Sequence, residues 1–206
     1  MTRVVPVSTV VDGLKRLESG LITTGSVLDL LADVQVDAGS VKRYAAWVDD
    51  RHARHLVHRD DLFEVLLLCW RPGNRTPVHT HNGQLGWATI VRGGLAVTDY
   101  EWHGCNKPEN QNVVGIDCVA GATQIDLRAK PTVRATVGGP VATVSKTQTI
   151  HQIECPPDVG ELTASIHIYS RPIDSCVMFD LVHQRCARRD LKYDSVGGVQ
   201  ASPQPV

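Results

Sequence analysis

Leu62-Phe63-Glu64-Val65-Leu66-Leu67-Leu68-Cys69-Trp70, a turn at Pro72-Gly73-Asn74, then Pro77-Val78-His79-Thr80-His81: this is the stretch from which the fold is read. The first run is almost wholly apolar, of strand length, and stopped by turn residues. Similar runs follow at short intervals, at Trp87–Val91, Leu95–Trp102, Thr123–Leu127, Val133–Val137, Val141–Ser145, Leu162–Tyr169 and Cys176–Val182. Turn signals separate them at Asn82-Gly83, Gly93-Gly94, Gly138-Gly139-Pro140 and Pro156-Pro157. Many short strands with no helical stretch between them predict an antiparallel sandwich or barrel.

Upstream of Asp61 the pattern is helical. Val7, Val10, Val11, Leu14 and Leu17 recur near helical spacing, and Ser26 with Asp29 resembles a capping box before Val27–Leu31. Ser40 is placed to cap a third helix through Tyr44, Trp47 and Val48. Trp102–Gly121 reads as a long polar surface loop. The expected organisation is one domain over 1–192, with a helical layer (1–50) on a β-barrel (51–192). Residues 193–206, rich in Gly, Ser, Gln and Pro, read as a disordered tail.

The 206 residues carry 21 Lys+Arg against 22 Asp+Glu, a formal net charge of -1, which argues against a nucleic-acid-binding or membrane-attracted face. No apolar run reaches the ~18 residues of a membrane span. Met1–Pro6 lacks the regions of a signal peptide, so the expected compartment is the cytoplasm. Six cysteines without a Cys-x-x-Cys pair read as reduced thiols, mostly buried. Nine histidines against two phenylalanines are the compositional oddity.

His79 and His81 are two apart on a strand, so both point to one face and form half of a transition-metal site. The spacing Gly73-x5-His79-x-His81, with Gly93 after eleven further residues, matches the first conserved motif of cupins. The carboxylate ligand of that motif is missing, because Gly86 stands in its place. His151, in a short strand-like run, is the best third candidate. Three neutral imidazoles would leave a divalent ion its full charge and an open face suited to anionic ligands, a thiolate above all. A closed structural zinc site, or three unrelated histidines, are the alternatives.

Ser165, His167 and Tyr169 alternate with Ile166 and Ile168. Facing a barrel interior, three polar side chains must satisfy one another, and a Ser–His–Tyr relay does so. The competing reading is the wet side of an edge strand. Arg54 precedes the first strong strand. Its guanidinium fork would suit a carboxylate, though taken alone a solvated surface arginine is the favoured reading.

Together these stretches resemble the thiol dioxygenase branch of the cupins, and most closely the cysteine dioxygenases. The similarity rests on Arg54-His55-Leu56-Val57, Leu68-Cys69-Trp70-Arg71-Pro72-Gly73, Pro77-Val78-His79-Thr80-His81, Ile150-His151-Gln152-Ile153-Glu154 and Ser165-Ile166-His167-Ile168-Tyr169-Ser170. It continues through Asp174-Ser175-Cys176 and Phe179-Asp180, in family order. The resemblance implies a cupin β-barrel of jelly-roll type with Fe(II) on His79, His81 and His151. It also implies a substrate carboxylate on Arg54, and Ser165, His167 and Tyr169 as a catalytic relay whose phenol meets substrate. The implied reaction is oxidation of L-cysteine to cysteine sulfinic acid with both atoms of O2, a step of cysteine catabolism, by a monomer. A sister group acts on 3-mercaptopropionate and commonly has Gln in the arginine's role, so Arg54 favours cysteine. A non-catalytic metal-binding sensor is the reading from another class.

Three departures mark this chain. Mammalian-type members cross-link a Cys to the active-site Tyr; the matching residue is Gly86, as in bacterial-type members, so no thioether is expected at Tyr169. His52 replaces a family Tyr near the arginine. Ser170-Arg171-Pro172 replaces Ser-Pro-Pro, removing the expected cis Ser–Pro bond and placing a cation near the pocket.

Overall fold

The computed structural model describes residues 2–106, 124–146 and 149–201. Two helices, α1 (Val7–Lys15) and α2 (Thr24–Leu31), accompany a parallel strand pair, β1 (Arg3–Val5) and β2 (Val34–Val36). Then come β3 (Ala53–Arg59), β4 (Glu64–Trp70), β5 (Val78–His79), β6 (Leu85–Arg92) and β7 (Gly94–Cys105). They are followed by β8 (Ile125–Ala129), β9 (Val133–Thr136), β10 (Ala142–Val144), β11 (Ile150–Glu154) and β12 (Thr163–Ser170). The last are β13 (Ser175–Asp180), β14 (Arg185–Asp190), β15 (Ser195–Val196) and β16 (Val199–Gln200). One seven-stranded sheet has the order β10-β6-β12-β4-β3-β15-β16; the other runs β14-β13-β5-β11-β7-β8, with β9 also on β7. Almost every pairing is antiparallel, and the mainly β, cupin-type architecture with a small helical part is as expected.

β4 shows why its sequence is apolar throughout. It lies between β3 and β12, and alternate residues serve two different cores. Val65, Leu67 and Cys69 pack with Val10, Leu14 and Val27 of the helices, while Leu66, Leu68 and Trp70 face the interior with Ile90, Leu95 and Ile153. A strand covered on both faces loses the polar alternation of a half-exposed one. β12 obeys the same rule: Ile166 and Ile168 join the helix-side core, and Ser165, His167 and Tyr169 point inward. All eight of its residues are buried. The edge-strand reading of that segment is thereby excluded.

The N-terminal layer differs in detail from expectation. Thr23, not Ser26, is the N-cap of α2: its hydroxyl accepts from the Ser26 N–H, and the Ser26 hydroxyl accepts from the Thr23 N–H. The helix expected after Ser40 is a single 3-10 turn, Lys42–Tyr44; the Ser40 hydroxyl instead accepts from the Val7 N–H and caps α1. The stretch holding Arg54 is itself a strand, β3. A loop is expected from Trp102, but β7 continues to Cys105, and residues 107–121 of the expected loop lie outside the described residues.

The largest correction concerns the C-terminus. Residues 193–201, expected as a disordered tail, are tied to the sheet. Ser195 and Val196 pair in parallel with His55 and Leu56, and a hairpin returns through Val199 and Gln200. Gly197 and Gly198 both have positive φ (61° and 89°), the backbone that a tight two-residue hairpin demands. Tyr193 adds an anchor by donating its hydroxyl proton to the fully buried Glu64 carboxylate. Residues 202–206 lie outside the described residues.

Four of the five cysteines described are buried, and Cys69, Cys155 and Cys176 are free thiols, as expected; Cys118 lies outside the described residues. Burial pushes Cys69 up to about 12 and Cys176 up to about 11, so both are neutral thiols at physiological pH. No helix among the described residues is long and apolar enough to cross a membrane.

Candidate metal centre and substrate cavity

Three imidazoles converge inside the barrel. His79 ends β5 and sits directly across the ladder from His151 on β11. His81 follows two residues on, and Thr80 between them is stitched to β13. Its N–H donates to the Val177 carbonyl (3.0 Å), and its hydroxyl accepts from the Val177 N–H (3.2 Å). The three ring centroids lie 4.6–5.0 Å apart, and one nitrogen of each ring lies within 4.8 Å of the others.

The protonation states suit ligation. Burial foremost pushes His79 down to about 4, and it pushes His81 and His151 well below the ordinary histidine range, with neighbouring histidines adding to the effect on those two. All three are neutral near pH 7, with lone pairs to offer. His79 Nδ1 donates to the Pro77 carbonyl (2.9 Å), so its acceptor lone pair is on Nε2. Neither ring nitrogen of buried His81 makes a well-formed hydrogen bond, although the Thr149 backbone lies near enough to act on the ring. An unpaired buried imidazole costs about 1–3 kcal/mol, and a bound cation removes that cost. The donor set is three nitrogens without a thiolate or carboxylate. It fits a divalent first-row ion with open positions better than a closed zinc site, which wants four protein ligands.

Beside the triad, hydrogen bonds run in sequence along β12. Trp70 Nε1–H donates to Ser165 Oγ (3.0 Å), and Ser165 Oγ lies 2.9 Å from His167 Nε2. Indole can only donate, so the serine proton is free to go to Nε2, which places the imidazole proton on Nδ1. Nδ1 faces the Tyr169 oxygen at 3.5 Å, a long contact that nevertheless leaves the phenol proton free for the cavity. Burial pushes His167 down to about 3 and Tyr169 up to about 12, so the relay is a neutral imidazole and an intact phenol. Tyr169 also stacks against His81, with centroids 5.9 Å apart. Across the ladder from Tyr169 stands Gly86, where a Cβ would come within 3.1 Å of the tyrosine ring. With no sulfur there, the two cannot form a thioether.

A cavity of about 340 Å3 is lined by His79, His81 and Tyr169 together with Arg54 and His52. Nε and Nη2 of Arg54 are buried without a hydrogen-bond partner. A buried, unpaired guanidinium is expensive unless an anion meets it. His52 lies flat on Trp70 (4.6 Å, 23°), and burial with the nearby Arg54 charge pushes it down to about 3. It therefore adds no cation. Arg171, expected near the pocket, is exposed on the surface and is not part of the cavity wall. The Ser170–Arg171 peptide is cis despite lacking proline, contrary to expectation; the Arg171 N–H donates to Gln84 Oε1 at 2.7 Å.

Sequence reasoning missed the C-terminal contribution to this wall. Asp194 accepts from the Arg54 N–H (2.8 Å), while its own N–H donates to the Arg54 carbonyl (2.7 Å). Its carboxylate also takes both terminal nitrogens of Arg51 (2.6 and 2.9 Å). The sequence signal was Asp194-Ser195-Val196-Gly197-Gly198-Val199, a hairpin inside a polar tail. Burial opposes ionisation of Asp194, but the Arg51 guanidinium and the Arg54 N–H hold its carboxyl below the usual range. A depressed carboxyl stabilises the fold above its unfolded pKa of about 4, and the contribution is lost as pH falls through the folded value. Asp194→Asn is therefore expected to lower unfolding stability by about 1–2 kcal/mol at pH 7. Denaturant titrations should show the gap to wild type closing at pH 3. A gap independent of pH would remove the carboxylate from the account.

Comparison with known proteins adds to this geometry. A family model described as Cysteine dioxygenase type I matches residues 2–182. Cysteine dioxygenase type 1 of Rattus norvegicus is 25% identical over 138 residues, covering 66% of this chain and 60% of the relative's length. The protein of that name from Danio rerio is 24% identical over 189 residues, with 87% and 83% covered. The chain thus spans about 60% of the mammalian relatives it matches. Among solved structures, a protein from Thermus thermophilus aligns at 15% identity with a TM-score of 0.43, over 64% of this chain and 95% of the other. A cupin domain from Bordetella pertussis aligns at 12% identity, TM-score 0.38, over 62% and 100%.

Proposed function

The chain belongs to the cysteine dioxygenase type I family, and on that premise we propose that it is a non-haem Fe(II) thiol dioxygenase converting L-cysteine and O2 to cysteine sulfinic acid. The observation that carries the substrate class is the guanidinium of Arg54, with Nε and Nη2 unpaired, in one cavity with His79 and His81 of the three-histidine group. A small molecule with a carboxylate at one end and a thiolate at the other answers both.

Charge accounting along the wall narrows the class. Arg51 is neutralised by Asp194, Lys192 at the rim is accompanied by Asp190, and His52 is neutral. Arg54 is the wall cation whose fork stays open, so one carboxylate per substrate is the match. His79, His81 and His151 would hold the iron, which when bound supplies open coordination positions and the electrons that activate dioxygen. The protein's residues do the rest. Arg54 fixes the carboxylate bidentately and sets the distance from carboxylate to sulfur. Tyr169 offers its phenol proton to the reacting oxygen atoms, with His167 holding the phenol oxygen from behind and Ser165 and Trp70 fixing the imidazole. Apolar walls from Ile173 and Met178 keep water from the sulfur.

Oxygen uptake by anaerobically purified, Fe(II)-loaded protein tests the proposal, with L-cysteine and 3-mercaptopropionate supplied side by side and the sulfinate identified by mass. Preferred turnover of cysteine is expected. Preferred turnover of 3-mercaptopropionate would overturn the substrate and keep the reaction class. Absence of uptake with any thiol acid, in protein that retains iron, would overturn the class as well.

A further inference from the structure

A second cavity, of about 270 Å3, reaches the same group of histidines through a different set of lining residues. The two cavities divide the site between them. His79 and His81 line the first; His151 and His167 line the second; Tyr169 borders both. Their chemistry differs. The first carries Arg51, Arg54, Asp190, Lys192 and Asp194, whereas the second is walled by Ala88, Ile90, Leu95, Val97, Val144 and Ile153. Its polar residues, Asp99, Arg134 and Thr143, are all exposed, so they belong to its rim; Arg134 is moreover paired with Asp158 at 2.9 Å.

Of the two small residues on β6, Ala88 lines the space, while Gly86 is closely packed against Tyr169 and Val144. On the inner face of β6, Gly86 stands opposite Tyr169 and Ala88 opposite His167, in the ladder with β12. On the other side of β6, Val144 and Ala142 face the same two positions. An ordinary strand residue at 88, such as Leu or Phe, would place its side chain beside His167 and fill the inner end of the cavity.

We propose that this apolar cavity is the dioxygen site of the protein, where O2 partitions out of water and from which it reaches the open face of the metal. The inference rests on the dioxygenase reading above. An apolar gas favours apolar walls over water, as xenon does in dry engineered cavities. A thiol acid held between Arg54 and the histidines occupies the polar cavity, and its carboxylate has no partner on the apolar side. Two cavities of opposite polarity that meet at Tyr169 let the two substrates arrive without competing for one path.

Two measurements test this. A crystal structure of the wild-type protein under xenon pressure should show xenon between Ala88, Val97 and Val144, a readout independent of turnover. In steady-state kinetics, Ala88→Phe should raise the KM for O2 about 5–10-fold. The KM for the thiol and the iron content should stay as in wild type, and Ala88→Val should fall between. Xenon found only elsewhere, or an Ala88→Phe enzyme with unchanged O2 dependence, would overturn the proposal. So would a rise confined to the thiol KM, because the cavity would then hold part of the thiol. If the wild-type protein consumes no oxygen with any thiol, the dioxygenase reading fails, and the dioxygen role with it, even where xenon is bound.

Discussion

Arg54→Gln is expected to lower kcat/KM for L-cysteine by about 10²–10³-fold, equivalent to roughly 3–4 kcal/mol of lost binding. The loss should appear mainly in KM. A carboxylate remote from the reacting sulfur is gripped equally in the ground and transition states, and uniform binding of that kind leaves kcat nearly unchanged. Arg54→Lys should lie between the two, since an ammonium keeps the charge but loses the two-pronged geometry. The same change should not harm the fold. Nε and Nη2 of Arg54 have no hydrogen-bond partner, so Gln breaks no hydrogen bond there, although it takes an attractive charge away from the buried Glu64 carboxyl. Unfolding stability is therefore expected to change little, the charge removed from the wall offsetting the support lost by Glu64, while cysteine binding collapses, the pattern of a group kept for function. An Arg54→Gln protein with wild-type KM for cysteine would sink the carboxylate clamp; one that bound cysteine poorly because it lost iron or unfolded would show the arginine to be structural.

How much of this was legible in the sequence depended on whether the signal was local. The strand at Glu64–Trp70 announced itself by an apolar run between turns, and alternation along β12 placed Ser165, His167 and Tyr169 together. His79 and His81 are neighbours in sequence, so a short local segment sufficed to pair them, although β5 itself ends at His79. His151 joins them through the antiparallel register of β11 with β5, a pairing that no local pattern encodes. The place of His151 in a strand-like run made it the best third candidate, and the resemblance to a family then implied the ligand set. Arg54 was ambiguous for the opposite reason: an arginine on a short strand is usually solvated, and only the closed wall around it shows the guanidinium to be unpaired. The C-terminal error came from composition. Gly, Ser and Gln were read as a tail, although Val196-Gly197-Gly198-Val199 carries a hairpin signal. Asp194 then ties that hairpin to Arg51 and Arg54, outside the 2–182 span shared with the family. Composition averages over such specific contacts.

Loss of one histidine from the triad should have the largest effect of all, and His81 separates metal ligation from packing most cleanly. His81→Leu keeps a comparable volume and removes two buried nitrogens that make no well-formed hydrogen bond within the protein. With two of three ligands left, iron retained after desalting is expected to fall below about a tenth of wild type, and oxygen uptake by more than about 10³-fold, since even the outer partners of metal ligands are worth roughly 10–100-fold in affinity. Stability should move the other way in the two proteins. Wild type gains RT ln(1 + [metal]/Kd) when iron binds, about 2.7 kcal/mol at a hundredfold excess over Kd, so chelation should lower its Tm. The His81→Leu protein has little metal to lose, so chelation should leave its Tm unchanged. Its apo form should be at least as stable as wild-type apo protein, because an unpaired buried imidazole has gone. If His81→Leu kept full iron, or if chelation lowered both melting temperatures equally, His81 would be a packing residue. The open coordination face would then have to be built from other groups. If iron and uptake vanish together while the apo-protein stays folded, the three imidazoles hold the ion, and the barrel stands without it, as a chain of this size can.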